Sequence, residues 1–140
     1  MEDATATDIC SSFIIEETSV TTPGVAAGNY TIIRTFTASD DCGNISSATQ
    51  TITVVDTTAP ELTIPADYTS ECDVDLIFDD ATASDNCGEV TIEVSSETTA
   101  GDAAGNYTIV RTFTATDDAG NSSSATQTIT VQDTTAPEFT

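Results

Sequence analysis

The chain has 140 residues, of which 24 are Asp or Glu and only 2 are Lys or Arg, with no His, giving a net charge of −22. Phosphate binding needs clustered Lys and Arg, so this balance excludes nucleic acid as a partner and disfavours anionic membrane surfaces. No apolar run reaches the roughly 18 residues of a spanning helix, so no membrane insertion is expected.

In chain order, the first feature is an internal repeat, the pattern that decides architecture before any single element does. DATATDIC at 3–10 returns as DATASDNC at 80–87, and AAGNYTIIRTFTASDDCGNISSATQTITVVDTTAPE at 26–61 returns at 103–138 with five changes in 36 positions. The offset is 77 throughout (106 − 29), and one full repeat runs from Asp56 to Gln132. Three segments follow: an incomplete repeat over 1–55, a complete one over 56–132, and a linker plus the opening strand of a next repeat over 133–140.

Within the complete repeat, short strands are expected at Glu61–Ile64, Tyr68–Cys72, Ala81–Ser84 and Val90–Val94. A hairpin follows. Tyr107, Ile109, Phe113 and Ala115 alternate with Thr108, Val110, Thr112 and Thr114; beyond the turn DDAGN, Ala125, Ile129 and Val131 alternate with Thr126, Thr128 and Thr130. Pairing Phe113 with Ala125, Ile109 with Ile129 and Tyr107 with Val131 gives one index sum, so a single register places every apolar residue on one face. Short strands at close spacing without helical periodicity indicate an all-β sandwich, repeated in tandem with a period of 77. Arg34 and Arg111 occupy the same position in the two hairpins, opposite Gln50 and Gln127, with the stem along the sheet and the guanidinium at a carboxylate or carbonyl.

Four cysteines in a short chain suggest disulfides and an oxidising compartment. Cys72 and Cys87, alone in the complete repeat, are expected to pair; Cys10 aligns with Cys87, and Cys42 stands where the second repeat has Ala119, so a rewired Cys10–Cys42 bridge is expected in the first. Asn29, Asn44, Asn106 and Asn121 open Asn-x-Ser/Thr sequons and are glycosylation candidates.

Negative charge at this density opposes a compact state unless something neutralises it, and Ca²⁺ takes carboxylate and carbonyl oxygens. Candidate ligands sit in the hairpin turns (Asp40, Asp41 and Asn44; Asp117, Asp118 and Asn121), in the linkers (Asp56 and Asp133) and in the loop residues Asp79, Asp80 and Asp85. Six to eight oxygens are needed, so a linker Asp is expected to join carboxylates from neighbouring loops around one calcium ion. Asp, Asn and Gly also suit tight turns for conformational reasons alone. Paired carboxylates without His, Lys, Trp or an aromatic sugar platform do not make a glycosidase, so no catalytic residues are expected.

DTTAPELTIP, SECD, ATASDNCGEVTI and YTIVRTFTATDDAGNSSSATQTITVQDTTAP together resemble the HYR-like and bacterial Ig-like tandem repeats of secreted or surface-anchored proteins. The resemblance covers the whole chain. It implies an Ig-like sandwich, a bacterial cell-surface or extracellular location, a stalk, spacer or adhesin role, and calcium at domain junctions. The first repeat lacks its opening strand, while Pro137, Glu138, Phe139 and Thr140 form an unattached one. Donation of that strand between chains would give a head-to-tail homopolymer, an extracellular fibre. Alternatives are a piece of a long covalent stalk or adhesin array, and an adhesin face reading a surface glycan or other ligand.

Overall fold

A computed structural model describes residues 4–9 and 12–139. It is all-β, with nine strands and no helix among the described residues: β1 (Phe13–Pro23), β2 (Tyr30–Asp40), β3 (Ile45–Val54), β4 (Glu61–Thr63), β5 (Tyr68–Glu71), β6 (Thr82–Ser84), β7 (Val90–Ala100), β8 (Tyr107–Asp117) and β9 (Ser122–Gln132). The chain divides into two compact units between Asp56 and Thr57.

The second unit is a small sandwich. A four-stranded sheet has the order β5-β9-β8-β7, in which β5 runs parallel to β9 and the rest is antiparallel; β4 and β6 form a two-stranded antiparallel sheet, with β4 packed against β9 and β6 against β7. The β8–β9 register is the expected one, with Phe113 opposite Ala125, Ile109 opposite Ile129 and Tyr107 opposite Val131. Alternation therefore sends Ile109, Phe113, Ala115, Ile129 and Val131 to the interior, where Phe113, Ala115 and Ile129 are fully buried. Tyr68 and Leu76 close over this face beside Tyr107. Burying each large apolar side chain contributes about 1.5–3 kcal/mol, which makes this face the main source of stability in the unit.

Strand β7 runs six residues beyond the expected Val94, to Ala100. Its second half, SSETTA, has no apolar alternation because it is an exposed edge with nothing to bury. The β-propensity of Thr and the ladder to β8 suffice to extend it.

The first unit is an antiparallel three-stranded sheet, β1-β2-β3. Its strands recur in the second unit at the sequence offset: Phe13, Tyr30 and Ile45 open β1, β2 and β3, while Val90, Tyr107 and Ser122 open β7, β8 and β9. Among the described residues this unit has no counterpart of β4 or β5. The consequence appears in burial. Phe36 and Ala38, the counterparts of the fully buried Phe113 and Ala115, remain partly exposed, and Ile14, Val20 and Ile45 are open to solvent.

Each Arg sits in its hairpin opposite the expected Gln. Arg111 Nη1 donates to Asp79 O (2.9 Å) and Gln127 Oε1 (3.0 Å), with its guanidinium over the Phe113 and Phe78 rings. Arg34 is only 6 % exposed and meets both carboxylate oxygens of Glu17, at 2.7 and 2.9 Å. The two side chains thus hold the same sheet position by different partners, a backbone carbonyl in one unit and a carboxylate in the other.

Candidate metal centre

The turn DDAGN joins β8 to β9. Gly120 adopts φ 91°, a conformation that glycine reaches without Cβ strain. The chain then closes through Asp117 N to Asn121 O (3.1 Å) and Gly120 N to Asp117 O (3.2 Å). Asp117 organises the turn from within: its Oδ1 accepts from Asn121 N (2.8 Å) and its Oδ2 from Asn121 Nδ2 (2.9 Å). Burial pushes this carboxyl upward, but the hydrogen bonds from the Asn121 side chain and from the Asn121, Gly120 and Ala119 backbone outweigh it. Its pKa is held below the ordinary Asp value, so Asp117 is a buried carboxylate anion at neutral pH.

A second carboxylate comes from the loop after β6. Asp85 Oδ1 accepts from Cys87 N (2.9 Å), which shapes the loop. Asp85 Oδ2 is buried and meets no hydrogen-bond donor. The linker supplies the third: Asp56, directly before Thr57, has its backbone N–H bound to Asn29 Oδ1 at 2.6 Å. One carboxylate oxygen from each of Asp56, Asp85 and Asp117 lies within 4.8 Å of the other two. Two oxygens on one Ca²⁺, each at 2.3–2.6 Å, are separated by at most about 5 Å, so this spacing is that of a shared cation. Three carboxylates can offer three to six of the required oxygens, with carbonyls and water completing the shell. The residues present therefore fit a calcium ion.

The other sequence candidates fall elsewhere. Asp79 and Asp80 are exposed, and Asp79 uses its carbonyl on Arg111. Asp118 is exposed, and its Oδ2 lies 3.5 Å from Glu89 N. In the first unit, Asp40 and Asn44 repeat the turn geometry, with Asn44 Nδ2 donating to Asp40 Oδ2 at 2.7 Å, and hydrogen bonds from the Asn44 side chain and backbone hold the Asp40 carboxyl below its ordinary range. Asp41 is exposed beside it. Asp133, in the second linker, donates its backbone N–H to Asn106 Oδ1 (2.9 Å) and accepts from Thr135 N (2.9 Å). The sequence weighted both Asp residues of each turn equally. The distinguishing signal was the Asp-x-x-x-Asn spacing, which assigns the first Asp to the turn interior.

All four sequon asparagines have structural partners. Asn29 and Asn106 accept from the linker backbone, and Asn44 and Asn121 direct their amide nitrogens, the atoms a glycan would occupy, to Asp40 and Asp117.

The expected Cys72–Cys87 disulfide is corrected by the fold. Both thiols are free. Cys72 lies beside Gly105, next to the start of β8, where a Cβ on that glycine would stand 3.6 Å from the cysteine Cβ. Cys87 follows Asp85, which approaches Asp117 at the far end of the same strand. Ten steps of about 3.3 Å put roughly 33 Å of strand between those ends, against the 4.4–6.8 Å between Cα atoms that a disulfide needs. Cys42 is exposed on its turn, and its expected partner Cys10 lies outside the described residues, as does Thr140 of the terminal strand.

Strand order and a Phe-centred core define an Ig-like β-sandwich module, with carboxylates gathered at a loop end among the described residues. Comparison with family models gives the particular family: residues 60–131 match the HYR-like domain with 4 cysteines, and the chain belongs to that family. HYR-like domains are a non-catalytic type that occurs in extracellular and surface proteins. The matched segment of this chain contains two cysteines, Cys72 and Cys87. No curated protein matches the chain. Among the described residues, no helix is long and apolar enough to cross a membrane.

Proposed function

We propose that this chain is a structural subunit of an extracellular fibre or surface filament, with Ig-like units stiffened by calcium at loops and linkers and joined head to tail. The observation that carries this reading is the approach of the Asp56, Asp85 and Asp117 carboxylates, with the buried Asp85 Oδ2 lacking a hydrogen-bond donor. Three anions at that separation repel one another strongly in a poorly solvated loop end, and a divalent cation converts the repulsion into attraction. The ion would tie the DTTAP linker to the loops at the ends of β6 and β8. A linker fastened through Asp56 to two loops by one ion resists bending, which is the mechanical requirement of a fibre or stalk.

Calcium binding to the folded state alone raises stability by mass action, about 2.7 kcal/mol at a hundredfold excess over Kd. Thermal unfolding in calcium and in chelator tests the reading directly. A melting temperature that rises with calcium is expected; the same curve in both solutions removes calcium from the account.

A second reading, a spacer in a covalent array, is favoured by one observation: DTTAPE stands identically at 56–61 and at 133–138. It predicts that this chain alone stays monomeric in solution.

A further inference from the structure

Strand β7 is the outer strand of its sheet in the second unit, with no strand beyond it among the described residues. Which of its backbone groups are free follows from the ladder. Gly101 N donates to Asn106 O at 2.8 Å, and that pair continues the β7–β8 register in which Ala100 faces Tyr107. Antiparallel pairs alternate between bonded and non-bonded, so Thr99, Glu97, Ser95 and Glu93 direct their N–H and C=O groups to β8. Ile92, Val94, Ser96, Thr98 and Ala100 therefore point theirs away from the sheet, where a further strand would bind.

The same edge in the first unit is shut. Gly24 N donates to Asn29 O at 2.7 Å, and the β1–β2 register carries the alternation back so that Pro23 and Glu17 fall among the outward-pointing residues. Pro23 has no N–H to offer there. Glu17 stands opposite Phe36, on the apolar face of the sheet, where Arg34 holds its carboxylate at 2.7 and 2.9 Å. An edge proline and an inward-pointing charge both protect a sheet edge from pairing. The repeat offset puts Ala100 in place of Pro23 and Val94 in place of Glu17, so β7 has neither protection.

The two faces of β7 differ in chemistry. On the apolar face, Val94 stands opposite Phe113 and is 49 % exposed. Ser96 stands opposite Arg111, whose guanidinium lies over the half-exposed Phe78 ring. On the other face Glu93 and Glu97 flank Ser95, and a shallow depression of about 410 Å³ is bordered by Glu93, Ser95, Thr112 and Thr114. The only basic side chains, Arg34 and Arg111, are buried and already engaged, so no exposed Lys or Arg balances these glutamates. A second copy of the chain would bring a further charge of −22 to this edge, whereas a cationic strand relieves the repulsion.

We infer that the β7 edge accepts an extended basic segment of another protein, in which Lys or Arg alternates with apolar residues. Its main chain pairs with the outward groups of Ile92 to Ala100. Its cationic side chains lie on the face of Glu93 and Glu97, and its apolar ones cover Val94 and the open side of Phe78. Main-chain bonds supply affinity, and the contrast between the two faces supplies selection. This partner lies beyond the fibre reading and makes no use of the calcium site.

A synthetic peptide of alternating Lys and Val, titrated into the full chain, tests the inference. Amide exchange followed by NMR is the deciding readout, because an acidic protein attracts any cation loosely over its whole surface. Added peptide is expected to slow exchange at Ile92, Val94, Ser96 and Thr98, and to leave the outward amides of β1 unchanged. A peptide of the same composition with its lysines in one block is expected to bind about tenfold more weakly, and one alternating Glu and Val not to bind. Ser96→Pro removes an outward donor without touching the ladder to β8, so it is expected to melt near the wild type and to bind about tenfold more weakly or worse. Unchanged exchange at those β7 amides with peptide bound overturns the inference, as does equal protection of β1 or equal binding of the blocked peptide. Undiminished binding by folded Ser96→Pro overturns it as well. Protection that appears on concentrating the wild type without peptide would assign the edge to a second copy, against the inference. The exchange result on the wild-type chain decides the matter whether or not Ser96→Pro folds.

Discussion

Replacing the same phenylalanine in the two repeats measures how much the missing cover matters. Phe113 and Phe36 stand in identical local sequence, RTFTA, and each carries an Arg guanidinium 4.7 Å from its ring centroid, so propensity and cation–π terms nearly drop out of the comparison. What differs is burial: Phe113 is 0 % exposed, whereas Phe36 is only partly covered. Phe113→Ala removes a fully packed ring and is expected to cost about 3–5 kcal/mol. Phe36→Ala loses less area and leaves a site already open on one side, so about 1–2 kcal/mol is expected. For a unit of this size, about 4–8 °C accompanies each kcal/mol, which puts the Phe113→Ala shift above about 12 °C. Calorimetry on both variants, with amide exchange assigning each transition to its hairpin, reads the two costs. Equal destabilisation at dilute concentration would refute the claim that only the second unit has a closed core.

Arg111→Lys is expected to destabilise by about 1–3 kcal/mol, since a lysine cannot bridge Asp79 O and Gln127 Oε1 while stacking on Phe113 and Phe78; denaturant unfolding measures it. Gly101→Ala would place a Cβ 2.9 Å from Asn106 O, and a lowered melting temperature is expected from the forced opening of that loop. Asp40 and Asp117 both have pKa values lowered in the folded state. The stability they contribute is therefore present above the unfolded Asp value near 3.9 and lost as pH falls through their lower folded values. Asn121→Leu should flatten the acid limb of stability against pH, and an unchanged limb would contradict the assignment. Non-reducing peptide mapping is expected to find no Cys72–Cys87 cross-link, whereas finding one would overturn the strand-end placement of the two thiols.

Sequence alone made the second hairpin legible to the residue, because Phe113, Ile109 and Tyr107 admit one register with Ala125, Ile129 and Val131. Short strands β4, β5 and β6 were visible for the same reason: each is half-buried and bounded by turn residues. The long exposed β1 and the outer half of β7 were not, since an edge strand facing solvent has no apolar alternation to show. In the candidate site, the linker Asp56 and loop Asp85 could be grouped from their places at the ends of strands. Choosing Asp117 over Asp118 needed the turn conformation, which buries the first carboxylate and exposes the second. The disulfide expectation failed because sequence counts cysteines without knowing strand length; eleven residues of β8 separate the ends to which Cys72 and Cys87 belong.

Calcium titration of the wild-type chain beside Asp85→Asn, followed by thermal unfolding of the second unit, tests the central claim most directly. Asp85 contributes the buried oxygen without a hydrogen-bond donor, and the amide keeps its shape while removing its charge. The wild-type transition is expected to rise with calcium and fall back on chelation, and the variant to respond weakly or not at all. Equal calcium stabilisation of both proteins would contradict a site at Asp56, Asp85 and Asp117.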